Sequence, residues 1–330
     1  MMNVIQLRTL GGPEVLELVQ RPLPEPSGNE VRVRALAIGV GNADTLIRNG
    51  TYMWMPPLPA VPGNEMAGVV EAIGRDVSQP SIGRKVLVSS RELPQRGGCY
   101  AQAICVPAEA VYLLPDALSP RDAVTLPNYQ LAGALLYDSG IRKPESVLIH
   151  GAAGGVATAL IQLCLADGIM PIGTVSTEEK RAFAHAAGAP HVIHRPTQNV
   201  HDEVMALTDG RGVDVVYAHG GPGFTENLDF LAPLGTLVSI NSLEGVPDAD
   251  LFTELRRHLR KSLGVRLYSM HTLDNQPARR RAFMHRGIDL MVEGRLRPPP
   301  PTLLPLADAS RAHALLEAGA TLGKLVLTPE

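Results

Sequence analysis

The sequence has few cysteines and few aromatic residues, and neither sign of charge is in excess. Only 4% of its 330 residues are aromatic, three are cysteine, and the formal net charge is −3. Such a near-neutral chain does not favour nucleic acid or a membrane surface as its partner. The odd number of cysteines, without the spacing of a metal-binding knuckle, favours free thiols and a cytoplasmic location.

Long apolar runs are also missing. No segment approaches the roughly 20 apolar residues that a membrane-spanning helix needs, and the first residues lack the pattern of a signal peptide. The share of hydrophobic residues, 45%, and of charged residues, 19%, is typical of a globular protein. The length favours two domains.

The segment from Ser146 to Lys180 carries the most informative pattern. An apolar strand, 146–150, enters a turn of small residues, 151–157, which opens directly into an apolar helix, and a second strand, 170–175, follows. Small residues let the backbone approach a pyrophosphate, and the N–H groups at a helix start face it. The pattern therefore predicts a dinucleotide site, although an ordinary tight turn into a buried helix would look similar. The turn residues predicted to bind the cofactor are Ala152, Ala153, Gly154, Gly155 and Val156.

The residues after the second strand indicate which dinucleotide is bound. Where NAD sites usually have Asp or Glu, this sequence has Ser176, and Lys180 follows. A hydroxyl and an ammonium suit a 2′-phosphate, and we see no carboxylate at the strand tip. His194 and Arg195, after a third predicted strand, could close on the same phosphate. We therefore predict NADPH; the alternative is that Lys180 and Arg195 are solvated surface charges.

The alternation of strands and helices continues beyond this unit. Further strands are predicted at 213–217, 235–240 and 264–269, with helices at 200–208, 224–231 and 250–263. Six strands with crossover helices predict a doubly wound sheet. Asn241 follows the fifth strand at the carboxyl end of the sheet, where a nicotinamide should lie, or else is a plain turn residue.

The N-terminal part is instead glycine-rich and mostly β, which predicts a partly open barrel. The alternation in 30–35 places Val31 and Val33 on one face of a half-buried strand. A short helix is predicted to end at Gly50. The apolar loop after it contains Met53 and Trp54, which a hydrophobic substrate, a neighbouring subunit, a lid or simple loop packing could cover.

In the order of its motifs, the chain resembles the zinc-free medium-chain dehydrogenase/reductases, and specifically the NADPH:quinone oxidoreductase-like family. The motifs that carry the resemblance are Asn42 with Asp44, Arg48-x-Gly50-x-Tyr52, Pro62-Gly63-Asn64-Glu65 with Gly68, the turn at 151–157, and the tail at 305–313 and 322–327. The resemblance implies an α/β chain with a GroES-like, partly open β-barrel domain in 1–122. A Rossmann NADP(H)-binding domain in 123–267 and a return to the first domain in 268–330 would complete it.

The same resemblance predicts that no metal is bound. Zinc-containing members hold the ion with a Cys before the Asn42 region and with the His of a Gly-His-Glu motif. Here Gly41 and Asn64 occupy those positions, and a catalytic zinc needs about three protein ligands. Hydride transfer without a Lewis acid favours quinones or activated alkenes as substrates.

The resemblance also implies roles for single residues. Tyr52 would lie near nicotinamide and substrate as a proton donor, or else be a packing tyrosine. Asn42 would bond the substrate oxygen or the carboxamide, or else cap a helix, and Lys324 would contribute to cofactor binding. Two departures from relatives, Ala132 and the pair Ala218-His219, put the usual substrate geometry in doubt.

These observations together predict an NADPH-dependent enzyme that transfers hydride to a small hydrophobic quinone or α,β-unsaturated carbonyl. Two alternatives stay open, an enoyl-thioester reductase and an NADPH-binding protein with little turnover. A homodimer is expected from the family resemblance alone.

Overall fold

The structure is a computed structural model that describes residues 1–240 and 245–330. The predicted cofactor residue Asn241 lies outside the described residues. Contacts divide the chain into two compact units: unit 1 is Met1–Pro127 with Pro300–Glu330, and unit 2 is Asn128–Pro299. Within the described ranges, no helix is long and apolar enough to cross a membrane.

The strands and helices alternate in the second half of the chain and are mostly β in the first. The strands are β1 (Met2–Leu7), β2 (Leu16–Arg21), β3 (Glu30–Val40), β4 (Glu65–Ile73), β5 (Lys85–Ser89), β6 (Ala103–Pro107), β7 (Val111–Leu113), β8 (Ser146–His150), β9 (Met170–Val175), β10 (His191–His194), β11 (Val213–Ala218), β12 (Leu231–Ser239), β13 (Gly264–Leu267), β14 (Thr302–Pro305) and β15 (Leu325–Thr328). The α-helices are α1 (Asn42–Asn49), α2 (Pro120–Ala123), α3 (Leu126–Tyr137), α4 (Gly155–Ala166), α5 (Glu178–Ala186), α6 (Val200–Leu207), α7 (Leu251–Arg257), α8 (Pro277–Val292) and α9 (Ala309–Glu317).

Unit 1 is built on a seven-stranded sheet in the order β14-β15-β3-β4-β5-β7, with β6 also paired to β3. All pairs in this sheet are antiparallel except β14 with β15. In β3, Val31 and Val33 are buried while Arg34 is exposed, which confirms the predicted half-buried strand. The predicted helix end is also confirmed, because Gly50 adopts a left-handed conformation with φ +82° after α1.

Unit 2 is a six-stranded parallel sheet in the order β10-β9-β8-β11-β12-β13. In chain order this is 3-2-1-4-5-6, the strand order of a doubly wound dinucleotide-binding sheet. Its strands are continuous apolar runs because a parallel sheet covered on both faces buries both sides of each strand. Leu148, Ile172, Val216 and Leu237 lie in one buried cluster of this unit.

Two helices of unit 2 differ from the sequence prediction in type or in length. Residues Phe224–Phe230 form a 3₁₀-helix rather than an α-helix. The Asn227 side chain donates a hydrogen bond to the Phe224 carbonyl at 2.9 Å, and such local bonds compete with an α-helical ladder. The predicted helix at 250–263 is limited to α7 and a short 3₁₀ turn, after which Ser262 adopts a φ of +51°.

The two units also differ in extent from the predicted domains. Residues 268–299 belong to unit 2, whereas the sequence predicted a return to the first domain from residue 268. The reason is the packing of α8 and the segment after it within unit 2. Gln130 donates a hydrogen bond to the Arg280 carbonyl at 3.0 Å, and Gln162 donates one to the Arg297 carbonyl at 2.7 Å.

Candidate active site

The small-residue turn follows β8 and leads into α4, as the sequence predicted. Gly151 has a φ of +69°, a conformation that favours glycine, and the site of its missing Cβ faces open space apart from His219. The turn is closed by hydrogen bonds from the Ala152 N–H to the Thr174 carbonyl at 3.0 Å and from the Gly154 N–H to the Gly151 carbonyl at 2.8 Å. The first N–H groups of a helix have no partner within it, so the start of α4 at Gly155 can bind an anion.

Close packing beneath the turn depends on a second glycine. A Cβ on Gly173 of β9 would lie 2.6 Å from the Ala152 Cβ, so a larger residue at either position would push the turn away from the sheet. Ala152 and Ala153 are buried, while Gly154, Gly155 and Val156 are half-buried. The turn therefore has the shape expected of a pyrophosphate cradle, and the cofactor contacts of its residues stay predictions.

The predicted 2′-phosphate residues lie at one edge of the parallel sheet. His194 of β10 stands directly opposite Val175 of β9, so it neighbours Ser176. Thr177 caps α5 by accepting a hydrogen bond from the Lys180 N–H at 3.2 Å, which places Lys180 in the first turn of that helix. Ser176, Lys180 and His194 are all half-buried.

This edge also contains a carboxylate that sequence reasoning did not weigh. Glu178 is exposed and lies 3.6 Å from the Arg181 guanidinium and 3.8 Å from the His194 imidazole. The Arg195 N–H donates to the Val175 carbonyl at 3.1 Å, which keeps Arg195 beside the same strand end. Arg181 therefore stands against Glu178, and Lys180 and Arg195 add two further cations near this edge.

His150, the last residue of β8, supports the start of the turn from below. Its Nδ1 lies 2.8 Å from the Thr174 hydroxyl, and its Nε2 bonds the Asn227 Oδ1. Because Asn227 donates through Nδ2 to the Phe224 carbonyl, its oxygen faces His150, and Nε2 carries the proton. Burial lowers the pKa of His150 to about 4, so the imidazole is neutral at physiological pH. No pattern in the sequence predicted that His150 supports the turn.

A second group of candidate site residues lies in unit 1, around the start of α1. Asp44 accepts a hydrogen bond from the Gly41 N–H at 2.8 Å and so caps the helix. The Asn64 amide donates to the other carboxyl oxygen of Asp44 at 2.6 Å, and Asn64 accepts from the Ser90 hydroxyl. Asn42 is the exposed first residue of α1, so Gly41 and Asp44, rather than Asn42, form the cap.

Gly63, before Asn64, makes this arrangement possible. It has a φ of +94°, and a Cβ there would lie 2.6 Å from the backbone nitrogen of Tyr100. The Cys99 N–H donates to the Gly63 carbonyl at 3.0 Å. Only glycine fits so close to a neighbouring backbone, and this close approach places Asn64 and Glu65 at the start of β4.

Buried charges surround Asp44. Glu65 forms an ion pair with Lys324, and both residues are almost completely buried. Loss of solvation and the nearby Glu65 charge raise the pKa of Asp44 to about 7. Lys324 is a predicted cofactor-binding residue. The structure gives its ammonium a partner inside unit 1, and a contact with cofactor stays a prediction.

A hydrogen-bonded path leads from Asp44 toward α9. The Tyr100 hydroxyl lies 3.4 Å from the Asp44 carboxyl and 3.0 Å from the Nε2 of His313. Burial and the Arg48 charge lower the pKa of His313 to about 3, so its ring is neutral. The His313 Nδ1 is buried without a hydrogen-bond partner. An unpaired acceptor costs less than an unpaired donor, which places the proton on Nε2, pointing to Tyr100.

Tyr52 follows α1 and is half-buried. Its N–H donates to the Leu46 carbonyl at 3.1 Å, and its ring centroid lies 5.7 Å from that of Trp54. Arg96 donates a hydrogen bond to the phenol oxygen, and the positive charge of Arg91 also favours a lower pKa for the phenol. Burial nevertheless raises the pKa of Tyr52 above its usual value of 10, so the phenol keeps its proton at neutral pH. Neither arginine could be found from a sequence pattern.

Among residues 1–240 and 245–330, no three His, Cys, Asp or Glu side chains are grouped to hold a metal ion. Asp44 and Glu65 are two acidic residues that interact in unit 1, and the Glu65 carboxylate forms an ion pair with the Lys324 ammonium. A borderline-soft ion such as zinc prefers nitrogen and sulfur ligands, and two buried carboxyl groups do not offer that set.

Comparison with known proteins places this chain and its fold in a family. The alcohol dehydrogenase GroES-like domain family matches residues 27–116, and the zinc-binding dehydrogenase family matches residues 187–327. A quinone oxidoreductase of Pseudomonas aeruginosa is 35% identical over 98% of this chain and 99% of its own length.

Solved structures of quinone oxidoreductases are also similar to this chain. A quinone oxidoreductase of Pseudomonas syringae pv. Tomato superposes with a TM-score of 0.87 at 32% identity, covering all of both chains. A quinone oxidoreductase of Escherichia coli, complexed with NADPH, has a TM-score of 0.84 at 31% identity over 99% of this chain and all of its own. The predicted combination of a GroES-like unit and a Rossmann unit is therefore confirmed, and it defines a medium-chain dehydrogenase/reductase. Within that superfamily, the chain belongs to the quinone oxidoreductase-like family.

Proposed function

We propose that this protein is an NADPH-dependent reductase that transfers hydride, without zinc, to a quinone or an α,β-unsaturated carbonyl. The observation that carries the proposal is the edge of the unit 2 sheet. There the small-residue turn lies beside Ser176, Lys180 and His194, in a chain related over its full length to quinone oxidoreductases. The NADPH complex of the E. coli relative supports the choice of cofactor.

The described residues fit NADPH. The open left-handed turn at Gly151 leaves room for a pyrophosphate, and the N–H groups at the start of α4 offer hydrogen-bond donors. Lys180 and Arg195 would neutralise a 2′-phosphate, with Ser176 as a hydroxyl donor. Glu178 would oppose that phosphate, but Arg181 and His194 lie against it.

NADPH, when bound, supplies a hydride ion, and the acceptor must also gain one proton to become a hydroquinone or a saturated carbonyl. Tyr52 can provide that proton, because its phenol is protonated at neutral pH. Arg96 donates a hydrogen bond to the phenol oxygen, which helps to hold the phenol in place. Asn42, exposed at the start of α1, can donate an amide hydrogen bond to the substrate.

Zinc independence is supported by the residues at the positions where zinc relatives have ligands. Gly41 offers only backbone atoms there, and both polar ends of the Asn64 amide are already bonded within unit 1. A quinone or enone accepts hydride at an electrophilic carbon or oxygen without a Lewis acid. The residues at the family's metal position therefore support a quinone or an enone as the acceptor.

The proposal is tested by titrating the purified protein with NADPH and NADH by nucleotide fluorescence, and then adding acceptors. The acceptors are 1,4-benzoquinone, 9,10-phenanthrenequinone and crotonyl-CoA. We expect tighter binding of NADPH than NADH and turnover with the quinones. Turnover of crotonyl-CoA alone would identify an enoyl-thioester reductase. Tight NADPH binding without turnover of any acceptor would identify a binding protein.

A further inference from the structure

Two residues of helix α9 have no part in the reaction described so far, although each is linked to α1. His313 and Glu317 are four positions apart and therefore lie on the same face of α9. Asp44 and Arg48 have the same spacing and lie on one face of α1. The two helices of unit 1 thus carry matching pairs of polar residues, and bonds between these pairs join the helices at two points.

The link at the C-terminal end of α1 is an ion pair. The Arg48 guanidinium is bidentate to the Glu317 carboxylate, with 3.2 Å between Nη1 and Oε2. Arg48 also donates through Nε to the Gly11 carbonyl at 3.0 Å, and the Gly11 N–H donates to the Arg48 carbonyl at 3.2 Å. The Arg48 side chain is only 3% exposed. Loss of the Glu317 charge would leave this buried guanidinium without its anion, which is costly, so the pair holds this end of α1 against α9.

The link at the N-terminal end of α1 runs through Tyr100. Its hydroxyl lies 3.0 Å from the Nε2 of His313 and 3.4 Å from the Asp44 carboxyl. Asp44 in turn accepts from the Gly41 N–H and so caps α1. The Asp44, Tyr100 and His313 side chains are almost completely buried. Breaking this link would leave a buried polar atom unpaired, so it holds the first turn of α1.

Helix α1 carries the two residues that are proposed to contact the substrate. Asn42 is its first residue, and Tyr52 follows its end. The chain after Gly50 stays tied to the helix, because the N–H groups of Thr51 and Tyr52 both donate to the Leu46 carbonyl, at 3.0 and 3.1 Å. A shift or tilt of α1 therefore moves Asn42 and Tyr52 with it.

We propose that Glu317 and His313 are positioning residues, which brace α1 at both ends and so place Tyr52 and Asn42 for the reaction. The catalytic part of this inference rests on the proposed function, whereas the brace itself stands on contacts within unit 1. A displacement of about 1 Å at the reacting groups can cost about 10²-fold in rate. The tail of the chain therefore affects kcat, although neither residue is assigned a contact with the substrate.

The first test needs no reaction. Trp54 is the only tryptophan of the chain, and its ring centroid lies 5.7 Å from that of Tyr52, so its fluorescence reports on the segment that follows α1. Trp54 is 39% exposed, which allows its quenching by acrylamide to increase. We expect a larger quenching constant in Glu317→Gln and in His313→Leu. His313→Gln, which keeps an N–H donor near the place of Nε2, should restore the original constant.

A matched control separates positioning from a general loss of stability. Arg32 and Glu71 form another arginine–glutamate pair of unit 1, with 2.7 Å between Nε and the carboxylate, but this pair joins β3 to β4. Glu71→Gln and Glu317→Gln should both lower the midpoint of thermal unfolding, whereas only Glu317→Gln should increase the quenching of Trp54. Unchanged quenching in Glu317→Gln and His313→Leu would overturn the proposal, as would an equal increase in Glu71→Gln.

Kinetics test the link between the brace and the reaction. In Glu317→Gln and His313→Leu, kcat with 1,4-benzoquinone should fall about tenfold or more, while Glu71→Gln and His313→Gln should keep it. The dissociation constant of NADPH should stay unchanged, because the turn predicted to bind its pyrophosphate lies in unit 2. An unchanged kcat beside increased quenching would contradict the positioning role and leave the reductase standing. No quinone reduction by the original protein would contradict the reductase, while Trp54 quenching would still decide whether α9 braces α1.

Discussion

At the scale of single residues, Tyr52 joins three features that a proton donor needs. It is half-buried, its phenol is protonated at neutral pH, and Arg96 donates a hydrogen bond to the phenol oxygen. The sequence singled out Tyr52 through the motif around Gly50. Its neighbours Arg91 and Arg96 carried no pattern, because only the folded turn after β5 brings them to the phenol.

Tyr52→Phe removes the proton donor and keeps the ring. We expect kcat with quinone to fall by about 10²-fold, the lower end of general acid contributions. The dissociation constant of NADPH should stay unchanged. Tyr137→Phe is the control, because Tyr137 bonds Asp167 in unit 2 and has no proposed role in the reaction. An undiminished kcat in Tyr52→Phe would show that solvent or another group supplies the proton.

Asp44 makes stability depend on pH. Its pKa is about 7 in the folded chain and 3.8 ordinarily, so the folded state binds more protons between these values. The stabilisation is therefore fully present below pH 3.8 and is lost as the pH rises through 7. Relative to Asp44→Asn, the free energy of unfolding of the original protein should fall by up to about 1.4 kcal/mol per pH unit between pH 5 and 7. Urea unfolding at several pH values measures this, and parallel profiles would contradict it.

At the scale of elements, the parallel sheet was largely predictable and the segment after β11 was not. Buried parallel strands are apolar runs of fixed length, and small residues mark the turn before α4, so both leave a direct signal in sequence. The helix predicted at 224–231 became a 3₁₀-helix because Asn227 bonds the nearby backbone, which periodicity does not register. Glu178 was overlooked because it lies in a helix turn that only strand pairing brings to His194.

Helix α5 allows a matched test of cofactor choice. Lys180→Gln should weaken NADPH binding about ten- to a hundredfold, the value of a charge-assisted hydrogen bond, and leave NADH binding nearly unchanged. Arg181→Gln removes a cation from the neighbouring position, where Arg181 faces Glu178 at 3.6 Å, and should affect NADPH far less. Fluorescence titration measures all four constants. Equal losses for NADPH and NADH would refute the assigned role of Lys180.

At the scale of the whole molecule, the chain leaves unit 1 and returns to it. The resemblance implied a return to the first domain from residue 268, and contacts place Pro300–Glu330 in unit 1. The point of return could not be read from sequence, because the apolar pattern of α8 fits either unit until its contacts with Gln130 are known.

The buried pair of Glu65 and Lys324 links the returning segment to β4. Lys324→Met leaves Glu65 buried without its cation, and we expect a loss of about 3–5 kcal/mol in the free energy of unfolding. The double variant Glu65→Gln/Lys324→Met should recover most of that loss, because no isolated charge remains. Denaturant unfolding measures both variants. A stable Lys324→Met protein with weakened NADPH binding would instead favour the predicted cofactor role of Lys324.

The central claim is a reductase that uses NADPH and needs no metal. The most direct test is the rate of quinone-dependent NADPH oxidation before and after dialysis against 1,10-phenanthroline, with zinc quantified by mass spectrometry. The account predicts the same rate in zinc-free protein and no increase when zinc is added. A rate that vanishes on zinc removal and returns with zinc, or no quinone-dependent oxidation at the outset, would contradict it.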